Sequence, residues 1–195
     1  MSFTTGTQAE LLYTLPSAVT KNTYTTQAAF PGVLGTNTVC SVSPGWLLND
    51  SPNPVGRALY LKAMGTVANT AAATLAMALG LNPIAGAVTT PTPITVCAAS
   101  TPLAATTTLW SVEAWFTCTT FATSTATYQI NGSVRWGNAA TGGAVVASDQ
   151  TGDFQGTFAN VDPRVQLYVE LFGTWSVSNV ANTTTVQQMF LWGLN

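Results

Sequence analysis

The chain has no histidine, and only 6% of its 195 residues are charged, against about 25% in an ordinary soluble domain. Each shortage removes a class of chemistry. Without imidazole, a serine or cysteine nucleophile loses its usual base. No Gly-x-Ser-x-Gly elbow occurs, so a hydrolytic triad is not expected. No glycine-rich loop is followed by Lys-Ser or Lys-Thr, which leaves nothing to cradle phosphates. The five basic residues, Lys21, Arg57, Lys62, Arg135 and Arg164, are scattered, whereas binding to a nucleic-acid backbone draws on several Lys or Arg contacts together. The most membrane-like stretch, residues 71–88, is interrupted by Thr74, Asn82 and Pro83, and a spanning helix needs about 20 apolar residues. Neither nucleic acid nor membrane is an expected partner. The first ten residues show no basic or apolar leader segment, so a secretion signal is not expected.

Cysteine is also scarce. Cys40, Cys97 and Cys118 form an odd set with long, irregular spacing, which fits neither a disulfide framework nor a zinc pattern. They are expected as small buried apolar residues, although one pair could bridge in oxidising conditions. No metal or other cofactor is expected.

Between Lys62 and Glu113 no Asp, Glu, Lys, Arg or His occurs. A surface built from such a segment lacks the charge that keeps free monomers apart. The chain is nonetheless far from disordered composition, with 47% hydrophobic residues, a mean hydropathy of +0.29 and a net charge of −2. Threonine fills about one position in six; it is β-branched and suits a half-buried sheet surface, and its hydroxyl hydrates that surface without charge. These features describe a β-rich building block whose neutral surface is covered by more protein.

Alternation with a period of two is clear in four places. Leu75, Met77, Leu79 and Leu81 alternate with Ala76, Ala78 and Gly80, so large side chains share one face of a strand. Trp110, Val112, Ala114, Phe116 and Cys118 alternate with Ser111, Glu113, Trp115 and Thr117. Tyr128, Ile130, Val134 and Trp136 are set inward, and so are Val165, Leu167, Val169, Leu171, Trp175 and Val177. One buried and one solvated or contacting face is the mark of antiparallel sheets.

Adjacent runs suggest three hairpins: 57–67 with 70–81 around Asn69, 107–120 with 125–137, and 164–177 with 183–193. Weaker strands are expected near 36–43 and 154–158, with another at 19–27, while 8–15 is expected to form a turn. Proline and glycine mark loops at 43–55, 82–102 and 138–152. The expected architecture is all-β: a two-sheet antiparallel sandwich, jelly-roll-like, with about eight strands and long end loops. It fills residues 1–195 as one domain, with residues 1–30 as an N-terminal arm. An immunoglobulin-like sandwich is the alternative.

Few residues offer chemistry. Glu113 and Glu170 sit mid-strand and would make a two-carboxylate glycosidase only if their strands were neighbours; two separate solvated or ion-paired residues are expected instead. Asp149-Gln150-Thr151-Gly152-Asp153 has the look of an oxygen-ligand loop, but ordinary turn chemistry accounts for it. Asp162-Pro163 is read as a turn before a long strand. No catalytic residue is assigned. Trp110, Trp136, Trp175 and Trp192 are expected in the core. Trp46, in a Pro/Gly loop, and the outward-alternating Trp115, with Tyr168, are the candidate interface residues.

The Thr-rich segment Ala18–Ala29, the hexapeptide Arg57-Ala-Leu-Tyr-Leu-Lys, the strand Thr74–Asn82 and the ending Met189-Phe-Leu-Trp-Gly-Leu-Asn195 give the chain a style that resembles the small jelly-roll structural proteins of tailed bacteriophages, the head decoration or minor capsid proteins. The resemblance implies a non-enzymatic virion protein on the capsid surface. Its partners would be the major capsid protein and copies of itself, often as trimers, and its role would be to reinforce the shell. The alternative is a carbohydrate-binding or receptor-binding tail module, which calls for exposed, coplanar aromatics near Trp46 or Trp115.

Overall fold

Alternating side chains become two packed faces. The computed structural model describes residues 9–30, 40–48, 53–68, 73–85, 92–97, 108–137 and 150–194. In chain order the elements are β1 (Ala9–Thr14), β2 (Val19–Asn22), β3 (Ala28–Phe30), β4 (Ser41–Val42), α1 (Pro44–Leu48), β5 (Ala58–Ala68), β6 (Leu75–Asn82), β7 (Ile94–Cys97), β8 (Thr108–Ala122), β9 (Thr125–Gly137), β10 (Gln150–Val161), β11 (Leu167–Trp175) and β12 (Thr183–Leu194). A seven-stranded sheet runs β1–β12–β5–β8–β9–β10, with β2 also on β12. A five-stranded sheet runs β3–β11–β6–β7, with β4 also on β11. The strand pairings in both are antiparallel.

The expected all-β sandwich is therefore what the chain forms. It has twelve strands among the described residues, seven in one sheet and five in the other, against the eight or so expected. Their pairs nest: β5 with β12, β6 with β11 and β8 with β9, while Ile94 of β7 packs directly over Gly156 of β10. A full jelly roll would also pair β7 with β10; here, among the described residues, β7 pairs only β6, and β8, β9 and β10 continue the sheet of β5 and β12. Strands β1 to β3 lay the N-terminal segment along one side, β1 and β2 on β12 and β3 on β11. Residues 1–8 of the expected arm lie outside the described residues.

Two of the three expected hairpins are corrected. β8 and β9 pair as expected, through a tight turn at Thr123 and Ser124. But β5 and β6 lie in opposite sheets, and so do β11 and β12. Each is an arch from one sheet to the other, and the true partners come from the far end of the chain. A short connection between alternating runs looks the same in a hairpin and an arch. Residues 8–15, expected as a turn, hold β1 instead, because Ala9–Thr14 finds its partner in Phe190–Leu194. The loop 43–55 contains α1, the loop 82–102 contains β7, and β10 begins inside the expected loop 138–152. The rest of that loop, together with residues 36–39 and Asn69, lies outside the described residues.

The core is one cluster between the sheets. The inward sets of β6, β8, β9 and β11 are as the alternation predicts, with Leu75, Leu79, Val112, Phe116, Tyr128, Ile130, Val169 and Leu171 all buried. Val165 and Val177 fall beyond the ends of β11 and are exposed. Trp192 is the other correction. A bulge between Val186 and Gln188 leaves Gln187 unmatched against β5, and one extra residue reverses the faces of all that follow. Thr184 and Val186 point inward before it, Met189 and Leu191 after it. Trp192 is thereby turned to the outer face.

Candidate functional site: an aromatic ridge on the outer face of the large sheet

Register lines up one row across the outer face of the seven-stranded sheet: Leu11, Trp192, Tyr60, Trp115, Asn131 and Gln155. The adjacent row is Thr14, Phe190, Lys62, Glu113, Ser133 and Asp153. Apolar and aromatic groups thus gather on β1, β12, β5 and β8, and polar groups on β9 and β10. Four rings form a continuous chain. Phe190 and Trp192 have centroids 5.4 Å apart, Trp192 and Tyr60 5.3 Å, and Tyr60 and Trp115 4.7 Å, with interplanar angles of 28°, 26° and 36°. Trp115 keeps 42% of its surface exposed and Leu11 52%.

Phe190 stacks on Trp192 and Trp192 on Tyr60, while Tyr60 and Trp115 meet at a tilt. Two rings side by side in one plane cannot bring their centres this close, because their edge carbons alone need about 3.5–4.0 Å of clearance beyond the ring radii. Such pairs contribute about 0.5–1.5 kcal/mol each beyond their area. The faces between neighbours are spent on each other, Trp115 at the end of the chain keeping the most exposure, and the edges make a raised ridge. This is not the coplanar platform that a sugar-binding reading requires.

Lys62 and Glu113 flank the ridge as an ion pair, Nζ to Oε1 at 2.8 Å, on directly opposed positions of β5 and β8. The hydrogen bond from Lys62 holds the Glu113 carboxyl below its ordinary value, and Glu113 in turn raises the Lys62 ammonium. Tyr60 also hydrogen-bonds Glu113, and its hydroxyl is raised first by burial and then by that carboxylate. Lys62 and Glu113 thus balance each other beside the ridge, with Arg135 also near the Glu113 carboxylate.

Of the three candidate interface residues, only Trp115 is on the ridge. Trp46 is corrected: it lies in α1, is only 9% exposed, and its indole rests where any side chain on Gly193 would stand. Arg57 covers it, with the guanidinium carbon 5.6 Å from the ring centre and Nη1 donating to the Trp46 carbonyl. Tyr168 is half-buried in the other sheet, paired with Asn82 and Ser41. Sequence reasoning missed Tyr60, Phe190, Trp192 and Leu11. Tyr60 was findable by its alternation with Leu59 and Leu61; the bulge hid the pair on β12.

The remaining chemistry is dispersed. Glu113 is on the outer face of one sheet, while Glu170 is on β11 in the other sheet and 0% exposed, not solvated. Stacked sheets lie about 10 Å apart, so the two-carboxylate arrangement is not formed. Burial lowers the Lys21 ammonium, and the nearby Glu170 carboxylate partly offsets that. Asp153 pairs in register with Ser133 inside β10, so this part of the supposed ligand loop is strand; Asp149 lies outside the described residues. Among the described residues no cluster of His, Cys, Asp or Glu could hold a metal, and no helix is long and apolar enough to cross a membrane. Cys40 and Cys118 are buried and Cys97 half-buried, all as free thiols raised mainly by burial. Asp162 accepts from the Arg164 amide and guanidinium at 2.8–2.9 Å, which is the turn expected before β11.

No protein-family model matches the chain, and no curated protein matches it either.

Proposed function

We propose that this chain is a structural subunit that works by binding: a decoration or minor capsid protein seated on a virus shell, contacting the shell through the aromatic ridge. The single observation that carries the binding reading is a chain of four contacting rings with an exposed leucine on β1, β12, β5 and β8, where the Lys62–Glu113 ion pair balances itself. Aromatic residues are enriched, and charged residues depleted, at the cores of protein interfaces. The strands that carry the ridge, β1 over six residues and β12, β5 and β8 over about eleven, give about 600 Å² at spacings of about 4.8 Å and 3.3 Å, most of the roughly 800 Å² per partner of a standard interface. The shell as partner rests on the resemblance to phage head proteins.

The mechanism is linkage: a protein that binds the assembled shell and not its free subunits stabilises the shell by mass action. Co-sedimentation with shells of the major capsid protein tests it. The chain is expected in the pellet and the shells are expected to withstand more heat. A chain that stays in the supernatant, with shell stability unchanged, contradicts the reading.

A further inference from the structure

We propose that β10 is a self-pairing edge: two copies of the chain join β10 to β10, antiparallel across a two-fold axis, making one continuous sheet from their two large sheets. The inference deepens the assembly reading above by naming how copies join one another, as distinct from how they meet the shell.

The four sheet edges are unequal. On the large sheet, the edge opposite β10 is split into β1 and β2, six and four residues long, with Pro16 between them. On the small sheet, one edge is split into β3 and β4, three and two residues long, and the other is β7, four residues long and preceded by Pro93. Short strands and prolines are the means by which proteins blunt edges against unwanted pairing. β10 has neither. It runs for 12 residues without proline, keeps nine consecutive positions in register with β9 from Gln150 to Phe158, and pairs with no other strand among the described residues. The side chains of Asp153, Gln155, Thr157 and Ala159 are exposed along it. Only at its far end, at the irregularity between Phe158 and Val161, where Asn160 has φ 60°, does the pairing surface stop.

An open edge accepts an extended strand, and its partner must also be long and unblocked. Among the described residues, β10 is the only sheet edge of that kind, so in an assembly of identical chains it meets itself. Asp153 is its single charge, so a copy brings little repulsion. A two-fold pairing uses the same surface on both copies and closes; the blunted edges elsewhere keep it from growing into a fibre.

Single substitutions Asp153→Cys, Gln155→Cys, Thr157→Cys and Ala159→Cys, followed by mild oxidation, locate the axis. The position nearest it is expected to give a covalent dimer and the farther ones not, while the unmodified protein sediments at twice 20.3 kDa. The double variant Gln155→Lys/Thr157→Lys is expected to sediment at 20.3 kDa with its circular-dichroism spectrum and cooperative unfolding kept, and to unfold at the lower temperature that loss of a partner brings. A native mass of 20.3 kDa, or an oligomer in which none of the four positions cross-links, overturns the proposal. Shell binding by a chain that fails these tests removes the edge and leaves the shell reading standing. Cross-linking at β10 without shell binding does the reverse.

Discussion

Single residues here are held by fit more than by charge. Gly193 shows it: a methyl group there would fall 2.0 Å from the Trp46 indole, so Gly193→Ala is expected to cost about 1–3 kcal/mol, the usual range for overpacking, read by urea unfolding. Thr123 is the opposite case. A β-branched residue at φ 54° in the β8–β9 turn is strained, and Thr123→Asn is expected to stabilise by about 0.5–1 kcal/mol because Asn tolerates that region. The ion pair beside the ridge is expected to matter little. With side chains 36% and 33% exposed, Lys62–Glu113 is worth about 0.2–1 kcal/mol. Because the folded Glu113 carboxyl is depressed, its contribution is present above the unfolded carboxylate value and is lost as pH falls through the folded one. Raised Lys62 adds stability below the ordinary lysine value that fades as pH rises through the raised one. Glu113→Gln should therefore unfold slightly more easily at neutral pH and match the native chain in acid. Glu170 is a different matter, being fully buried. The Lys21 ammonium, which donates to the Ala29 carbonyl, lies near enough to feel that carboxylate; Lys21→Met is expected to lower the unfolding temperature, and adding Glu170→Gln should restore part of the loss.

At the scale of elements, what the sequence made legible was what repeats locally. Strict size alternation placed Leu75 to Leu81, Trp110 to Cys118 and Tyr128 to Trp136 on their correct faces, because a buried face must be apolar wherever the strand sits. Which strand lies beside which was legible only for β8 and β9. The connections from β5 to β6 and from β11 to β12 carry the same turn chemistry whether the chain turns back or arches across, and only the fit of β5 to β12 and β6 to β11, far apart in sequence, decides between them. A bulge is illegible for a similar reason: Gln187 has no local mark, yet it decides whether Trp192 meets the core or the surface. That makes a test. Deleting Gln187 removes the phase change of β12 and should either drive Phe190 and Trp192 inward or break pairing with β5. The expected result is loss of cooperative unfolding, seen by near-ultraviolet circular dichroism. A native-like spectrum would mean that the bulge is not what sets the ridge.

For the whole molecule, the shortage of charge and the ridge are two aspects of one property. A chain with 6% charged residues hydrates its surface largely through hydroxyl and amide groups, and beside the ridge the Lys62–Glu113 pair balances itself. Such a face suits a neighbour better than water. The candidate site was only partly legible: Trp115 could be placed outward from its own strand, but a ridge needs four rings from three strands, and their meeting is a property of the sheet. Oxidative footprinting of Trp115, Trp192 and Leu11, in the free chain and in the chain seated on shells, measures whether the face is covered. The account predicts strong protection of all three on the shell, while Val180, 73% exposed, and Ile84, 66% exposed, stay reactive. Equal oxidation of the ridge in both states would contradict it.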